Sequence, residues 1–342
     1  MTSPARRMSL SANANLQVPA APSAPMGCEI LSLIGNTPLL SLSHLEHDRP
    51  GVRFFAKAEW FNPGASVKDR AAACIIADAE TRGLIHRGVV LLDASSGNTA
   101  IAYAMIAKAK GYPLALCVPK NANPQVLGAL RAFGAELIET DPLQGSDGAI
   151  REARRLHEAC PGRFVYLDQY SNPANWMAHY RTTAPEIWEQ TQGAVTHFVA
   201  GLGTTGTFTG TTRRLKQLNP QLRAIAVQPD ASLHGLEGLK HLDSAMVPAI
   251  YDPGLPDETR FVSTEEAYAA IQRLIDEHGL LVGPSSGAAL AASLQVAQEL
   301  ARRRTPAVIV MIFPDSGRRY AAEGWLDRSS PTPTTSRAMA RW

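Results

Sequence analysis

From residue 53 onward, short apolar runs of strand length alternate with longer stretches whose apolar residues recur at helical spacing. The runs at 53–59, 89–93, 114–118, 136–139 and 164–167 read as strands. Between them the pattern predicts helices over 71–79, 98–110, 124–133 (stopped by Gly134) and 146–159. A second series follows, with strands at 196–200 and 224–228 and a helix at 207–218. An irregular stretch runs from Pro229 to about Val262, then helices over 264–278 and 286–302, then the very apolar strand 307–313. Ahead of all this, an apolar segment from Ile30 breaks at Gly35-Asn36-Thr37-Pro38 and resumes as a short strand. Strands that are apolar throughout and alternate with helices indicate βαβ units and parallel sheets covered on both faces. The expected fold is therefore α/β, with one subdomain over 28–172, a second over 173–326, and a ligand cleft between them. Residues 1–27 and 327–342, rich in Ser, Pro and small residues, read as a disordered leader and tail.

Charge narrows the function classes. The formal net charge is +2, and the leader holds Arg6 and Arg7 with no acid, so the remainder balances at 31 basic and 31 acidic side chains. That argues against a nucleic-acid or membrane-surface protein. Cys28, Cys74, Cys117 and Cys160 are scattered with no CxxC pair, so neither a metal site nor a disulfide framework is expected. No apolar run has the length of a transmembrane helix, and the leader lacks the apolar core of a secretory signal. A cytoplasmic protein is expected, with a transit peptide or a later start at Met8 or Met26 as the alternatives for the leader.

Candidate chemistry gathers at the strand–helix junctions. In Asn62-Pro63-Gly64-Ala65-Ser66-Val67-Lys68-Asp69-Arg70 a turn leads into a helix with Ser66 as the expected N-cap. Lys68 then sits in the first turn, where the helix dipole disfavours a cation and favours the neutral amine that attacks carbonyls. The plain alternative is a tolerated surface lysine. Ser95-Ser96-Gly97-Asn98-Thr99 precedes a helix and offers N–H groups and hydroxyls to an anion such as a carboxylate, beyond what capping by Ser96 or Asn98 needs. Gln169, at a strand end, could hold the same carboxylate without adding charge. Gly201-Leu202-Gly203-Thr204-Thr205-Gly206-Thr207 contains G-x-G-x-x-G, so a dinucleotide site competes with a monophosphate cup. Gln228 stands where a dinucleotide site wants an acid, Asp230 being the nearest, and three threonine hydroxyls suit a compact phosphate. Gly283-Pro284-Ser285-Ser286-Gly287 again precedes a helix.

These segments, with Lys57-Ala58-Glu59 and Pro314-Asp315-Ser316-Gly317-Arg318-Arg319-Tyr320, occur in the order found in the cysteine synthase (O-acetylserine sulfhydrylase) and cystathionine β-synthase family, which the chain resembles from about residue 28 to 326. The resemblance implies pyridoxal 5′-phosphate and two subdomains of the tryptophan synthase β type, fold type II. By it, Lys68 carries the cofactor and serves as catalytic base. Asn98 and Ser285 meet the cofactor ring, the latter at the pyridine nitrogen. Gly203, Thr204, Thr205, Gly206 and Thr207 hold its phosphate, and Ser95, Ser96, Thr99 and Gln169 hold the substrate carboxylate. The 314–320 segment is expected to be structural. Ser95, Ala100, Ala184 and Pro284 depart from the usual Thr, Gly, Gly and a more flexible residue. The implied reaction replaces the β-substituent of O-acetylserine or O-phosphoserine with sulfide to give L-cysteine. Cystathionine synthesis from serine and homocysteine is the rival, followed by a catalytically silent binding relative; threonine dehydratase fits the motifs less well. Segments 235–241 and 246–251 look most like the cysteine synthase B and O-phosphoserine-using branch, and Lys240 stands where such a relative has a cation. A homodimer is implied, and a serine acetyltransferase complex is left open.

Overall fold

The computed structural model describes residues 29–323. The leader and tail therefore lie outside the described residues, as does Cys28. The strands are β1 (Leu39–Ser41), β2 (Val52–Ala58), β3 (Val90–Ala94), β4 (Leu114–Pro119), β5 (Glu136–Thr140), β6 (Phe164–Tyr166), β7 (His197–Gly201), β8 (Arg223–Pro229), β9 (Glu258–Val262) and β10 (Ala307–Phe313). The helices are α1 (Lys68–Thr81), α2 (Asn98–Lys110), α3 (Pro124–Phe133), α4 (Gly145–Ala159), α5 (Pro173–Arg181), α6 (Thr183–Gln190), α7 (Gly206–Leu218), α8 (Thr264–His278) and α9 (Pro284–Arg302).

Two sheets result. One has the order β5-β4-β3-β6 and is wholly parallel. The other has the order β1-β2-β10-β7-β8-β9 and is parallel except for the β1–β2 pair. Every residue of β4 is buried, as a central strand between two helical layers requires. β10 carries Val308 to Phe313 through the middle of the larger sheet and supplies apolar side chains to the clusters on both of its faces.

The expected division between 172 and 173 does not follow these sheets. β1 and β2 lie before it, yet β2 pairs along its whole length with β10. Pairing between strands so far apart in the chain leaves no local trace in the order of elements. Two further features went unforeseen. The stretch after Gln169 forms α5 and α6, with Asn172 accepting the Ala174 N–H (3.0 Å) and Pro173 opening the first turn. Edge strand β9 lies within the segment expected to be irregular; among the described residues it pairs only with β8, and it exposes Phe261. α9 starts two residues before the expected helix, because Pro284 is preset for the first helical position.

Candidate active site

The C-terminal ends of β7 and β10 and the loop that follows β3 converge on a cavity of about 370 Å³ between the two sheets. Open α/β sheets bind ligands at this end of their strands. Lys68, Ser95, Asn98, Thr99, Gln169, Gly203, Thr204, Thr205, Thr207, Lys240 and Ser285 all line it. Two expected residues do not. Ser96 lines the adjoining hollow beside Asn121 and Ser146, which shares Gly97 with the cavity. Gly206 lies behind the cup, where a Cβ would overlap Asn175 Oδ1.

α1 begins at Lys68 itself. Ser66 is not the cap by position, since Val67 precedes the helix, but its Oγ accepts the Lys68 N–H (3.3 Å). Val67 N–H donates to Pro314 O (2.9 Å), which ties the approach to α1 to the end of β10. Two residues on, Arg70 enters a buried ionic network: Nε lies 2.7 Å from Glu59 Oε2 and Nη1 2.6 Å from Glu186 Oε1. Lys57 Nζ closes it at 2.7 Å from Glu186 Oε2. Thr37 and Asn62 donate to Glu59 (2.7 and 2.9 Å). The network pins the first turn of α1 between β2 and α6, and this is the physical meaning of the Lys57-x-Glu59 and Arg70 positions. Burial against the cavity walls lowers the Lys68 pKa from the usual lysine value, opposed by the charges of Asp315 and Glu59.

The substrate-loop candidates are held in place. Ser95 Oγ accepts from Gly97 N–H and Ala100 N–H (both 3.3 Å), so Ser95, rather than Ser96 or Asn98, covers the start of α2. Thr99 Oγ1 donates to Gln169 Oε1 (2.8 Å), while Gln169 Nε2 donates to Ala94 O (3.0 Å). That leaves the second amide hydrogen of Gln169 for a ligand. Asn98 Nδ2 donates to Asp315 Oδ2 (2.6 Å), and its Oδ1 is buried without a partner.

The glycine–threonine turn is shaped as a cradle. Thr205 takes a left-handed conformation (φ +69°), and its Oγ1 is buried without a partner. A Cβ on Gly203 would overlap Gly238 O, so only glycine lets these backbones approach. Thr204 Oγ1 accepts from Asn175 Nδ2 (3.1 Å), and Thr207 Oγ1 meets His179 Nε2 (3.2 Å). Burial, then the charges of Arg70 and Lys68, drive the His179 pKa well below the usual histidine value, so the ring is neutral there. A turn of N–H groups and hydroxyls at a helix N-terminus, with an orphaned hydroxyl, fits a phosphate. Gln228, at the place a dinucleotide site gives to an acid, is spent on Leu242 N–H (3.0 Å).

Lys240 is not a solvated lysine. Its side chain is 11% exposed, with Nζ 3.1 Å from Asp147 Oδ1 and 5.1 Å from the centre of the Tyr170 ring. Sequence reasoning gave no role to His179 or Asn175, and none beyond structure to Asp315. Asp315 stood in a segment singled out by motif, but the contacts of all three reach across the fold. Among the described residues no group of His, Cys, Asp and Glu is arranged to hold a metal ion, and no helix is long and apolar enough to cross a membrane.

A family model described as "Pyridoxal-phosphate dependent enzyme" matches residues 30–315. The cysteine synthase of Aquifex aeolicus is 51% identical over 85% of this chain and 90% of its own length. The cysteine synthase B of Escherichia coli is 42% identical over 85% of this chain and 93% of its own length. The crystal structure of O-acetyl serine sulfhydrylase isoform 3 from Entamoeba histolytica superposes with a TM-score of 0.83 at 31% identity, covering 91% of this chain and 95% of that one.

Proposed function

Because the chain belongs to the family of pyridoxal-phosphate dependent enzymes, we propose that it is a cysteine synthase, replacing the β-substituent of an activated serine with sulfide. The convergence of Lys68, the Asn98–Thr99 loop, the Gly203–Thr207 turn and Ser285 on one cavity is the observation that carries this reading. The orphaned Thr205 hydroxyl and the glycine cradle suit the cofactor phosphate, and Ser285, 4% exposed in the first turn of α9, suits the ring nitrogen. Pyridoxal phosphate, when bound, supplies an electron sink that lets the Cα–H bond of an amino acid ionise and its β-substituent depart. A serine hydroxyl at the ring nitrogen makes a weaker sink than a carboxylate would, which favours loss of a leaving group over transamination.

The remaining work falls to the chain's own residues. Thr99 and Gln169 hold the substrate carboxylate, with Ser95 at the head of the same loop, and so fix Cα above Lys68. Lys68 Nζ, its proton affinity reduced by burial, takes the Cα proton and returns it after sulfide has joined the β-carbon. His179, neutral and in contact with Thr207 Oγ1, holds that hydroxyl in place at the edge of the cup. We assign Lys240 to the β-substituent end of the cavity. On that assignment Lys240→Ala lowers kcat/KM for O-phosphoserine more than for O-acetylserine; equal losses would count against a phosphate role. The chain is read as a cytoplasmic homodimer on the strength of its family, a state that sedimentation measures directly, and a pull-down with serine acetyltransferase tests that complex.

The deciding experiment is the visible absorbance of the purified protein with O-acetylserine, O-phosphoserine or serine added in turn. The expected result is a cofactor band that changes with an activated serine and returns on addition of sulfide. A band that responds only to serine and returns with homocysteine would transfer the assignment to cystathionine synthesis. No band after addition of pyridoxal phosphate would end the reading.

A further inference from the structure

Asp315 is a carboxylate with no role in the chemistry above, yet it stands at the centre of the site. It stands two residues beyond the end of β10, is 2% exposed and lines the same cavity as Lys68. Its Oδ2 accepts two short hydrogen bonds, from Asn98 Nδ2 (2.6 Å) and Tyr320 OH (2.6 Å). Its Oδ1 is buried without a partner and lies against Gly283, where a Cβ would overlap it, just ahead of Ser285. Its backbone pairs with Ser66, two residues before Lys68. One residue thus touches the approach to Lys68, the Asn98 loop and the start of α9.

We propose that Asp315 is a positioning residue with two tasks: it holds the Asn98 amide in a fixed orientation, and it is the counter-charge against which Lys68 gains and loses its proton. The proposal rests on the assignment of Lys68 to the cofactor.

The other charged groups around Lys68 are already committed. Glu59 accepts from Arg70, Thr37 and Asn62. His179, on α5, is neutral. Burial raises the Asp315 carboxyl above the usual carboxylate range, opposed by the hydrogen bonds from Tyr320 and Asn98 and by the charges of Arg319 and Lys68. A buried amine in the field of a buried carboxylate keeps a proton more readily than the same amine alone, because their attraction offsets part of the desolvation cost. Lys68 must be neutral to attack an aldehyde and must later hold a proton, so the nearby negative charge, of which Asp315 is the larger source and Glu59 is already paired with Arg70, sets where on the pH scale both can happen.

The test uses the full-length chain stripped of cofactor, and follows the rate of pyridoxal phosphate uptake by visible absorbance as a function of pH. Asp315→Asn keeps the shape and one acceptor oxygen and removes the charge. It is expected to lower the midpoint of the uptake profile by about one pH unit or more, since a cation without its counter-charge loses its proton sooner. Tyr320→Phe leaves the charge in place and is expected not to lower the midpoint. Asp315→Ala should shift the midpoint as Asn does and, in addition, weaken retention of the cofactor through the freed Asn98. An unchanged midpoint in Asp315→Asn, or a lowered one in Tyr320→Phe, overturns the proposal while leaving the cofactor assignment intact. Failure of the unmodified chain to take up pyridoxal phosphate overturns both. The pH profile of kcat/KM on the reloaded enzyme gives the second reading, with its limb for Lys68 moving in the same direction.

Discussion

At the residue scale, steric room is as telling as charge. Gly206 lines no part of the cavity, but a Cβ there would overlap Asn175 Oδ1, the side chain that also supports Thr204. Gly206→Ala should therefore push Asn175 away and deform the proposed phosphate cup, weakening cofactor retention about tenfold or more by equilibrium dialysis, with the overall fold kept by circular dichroism. Lys68→Ala should abolish the visible band and lower turnover by roughly 10²–10⁴-fold or more; a variant that kept full turnover would remove Lys68 from the reaction. The role proposed for Lys68 follows from the motif around it, since its place at a helix start left a tolerated surface lysine open. That of Asp315 does not, because its bond to Asn98 spans 217 positions and nothing near either residue in the chain announces the other. Ser96, in the same loop as Ser95 and Thr99, lines the adjoining hollow, which shares Gly97 and Ser146 with the main cavity.

At the element scale, α1 is held by charge as much as by its apolar face. Burial would raise the Glu186 carboxyl, but the bonds and charges of Arg70 and Lys57 outweigh it and hold the pKa at about 2, against 4.5 when unpaired. The stability this supplies is complete above about pH 4.5 and is lost as pH falls through about 2. Glu186→Gln leaves Arg70 and Lys57 with one buried carboxylate fewer, and should cost about 3–5 kcal/mol at neutral pH in chemical denaturation. That deficit should shrink as pH falls below 4.5; a deficit independent of pH would mean that packing, rather than charge, ties α6 to α1. Helices α2, α3 and α8 and strand β10 match their expected bounds, because Gly111, Gly134 and Gly279 end the helices in left-handed turns and β10 is apolar throughout. α5 and α6 escaped because both are short, and α5 carries a mixed set of polar and aromatic residues with little helical period.

At the scale of the molecule, the architecture of parallel sheets covered by helices was legible, and the way the chain is shared between the two sheets was not. The cavity is closed between them in part by Asp147 of α4, which receives Lys240 Nζ at 3.1 Å and the Met246 N–H at 3.2 Å from the segment between β8 and β9. Asp147→Ala releases both contacts, and proteolytic cleavage within 234–250 should then accelerate, with added donor slowing it again. Unchanged cleavage would show that the segment is held by other contacts. The larger sheet places residues 52–58 beside residues 307–313 and leaves the other sheet to a single stretch of chain, residues 90–166. A ribosome that has delivered the smaller sheet complete has still to make the strand that the larger one is built around. Since emerging chains fold from the N-terminal side at about 5–20 residues per second, β2 waits on the order of ten seconds or more for its partner. During that interval Lys68 exists without Asp315, and its helix has only one side of its site. The order of synthesis thus guards the reactive amine: the pocket that tunes it comes into being only when the last strand slides home.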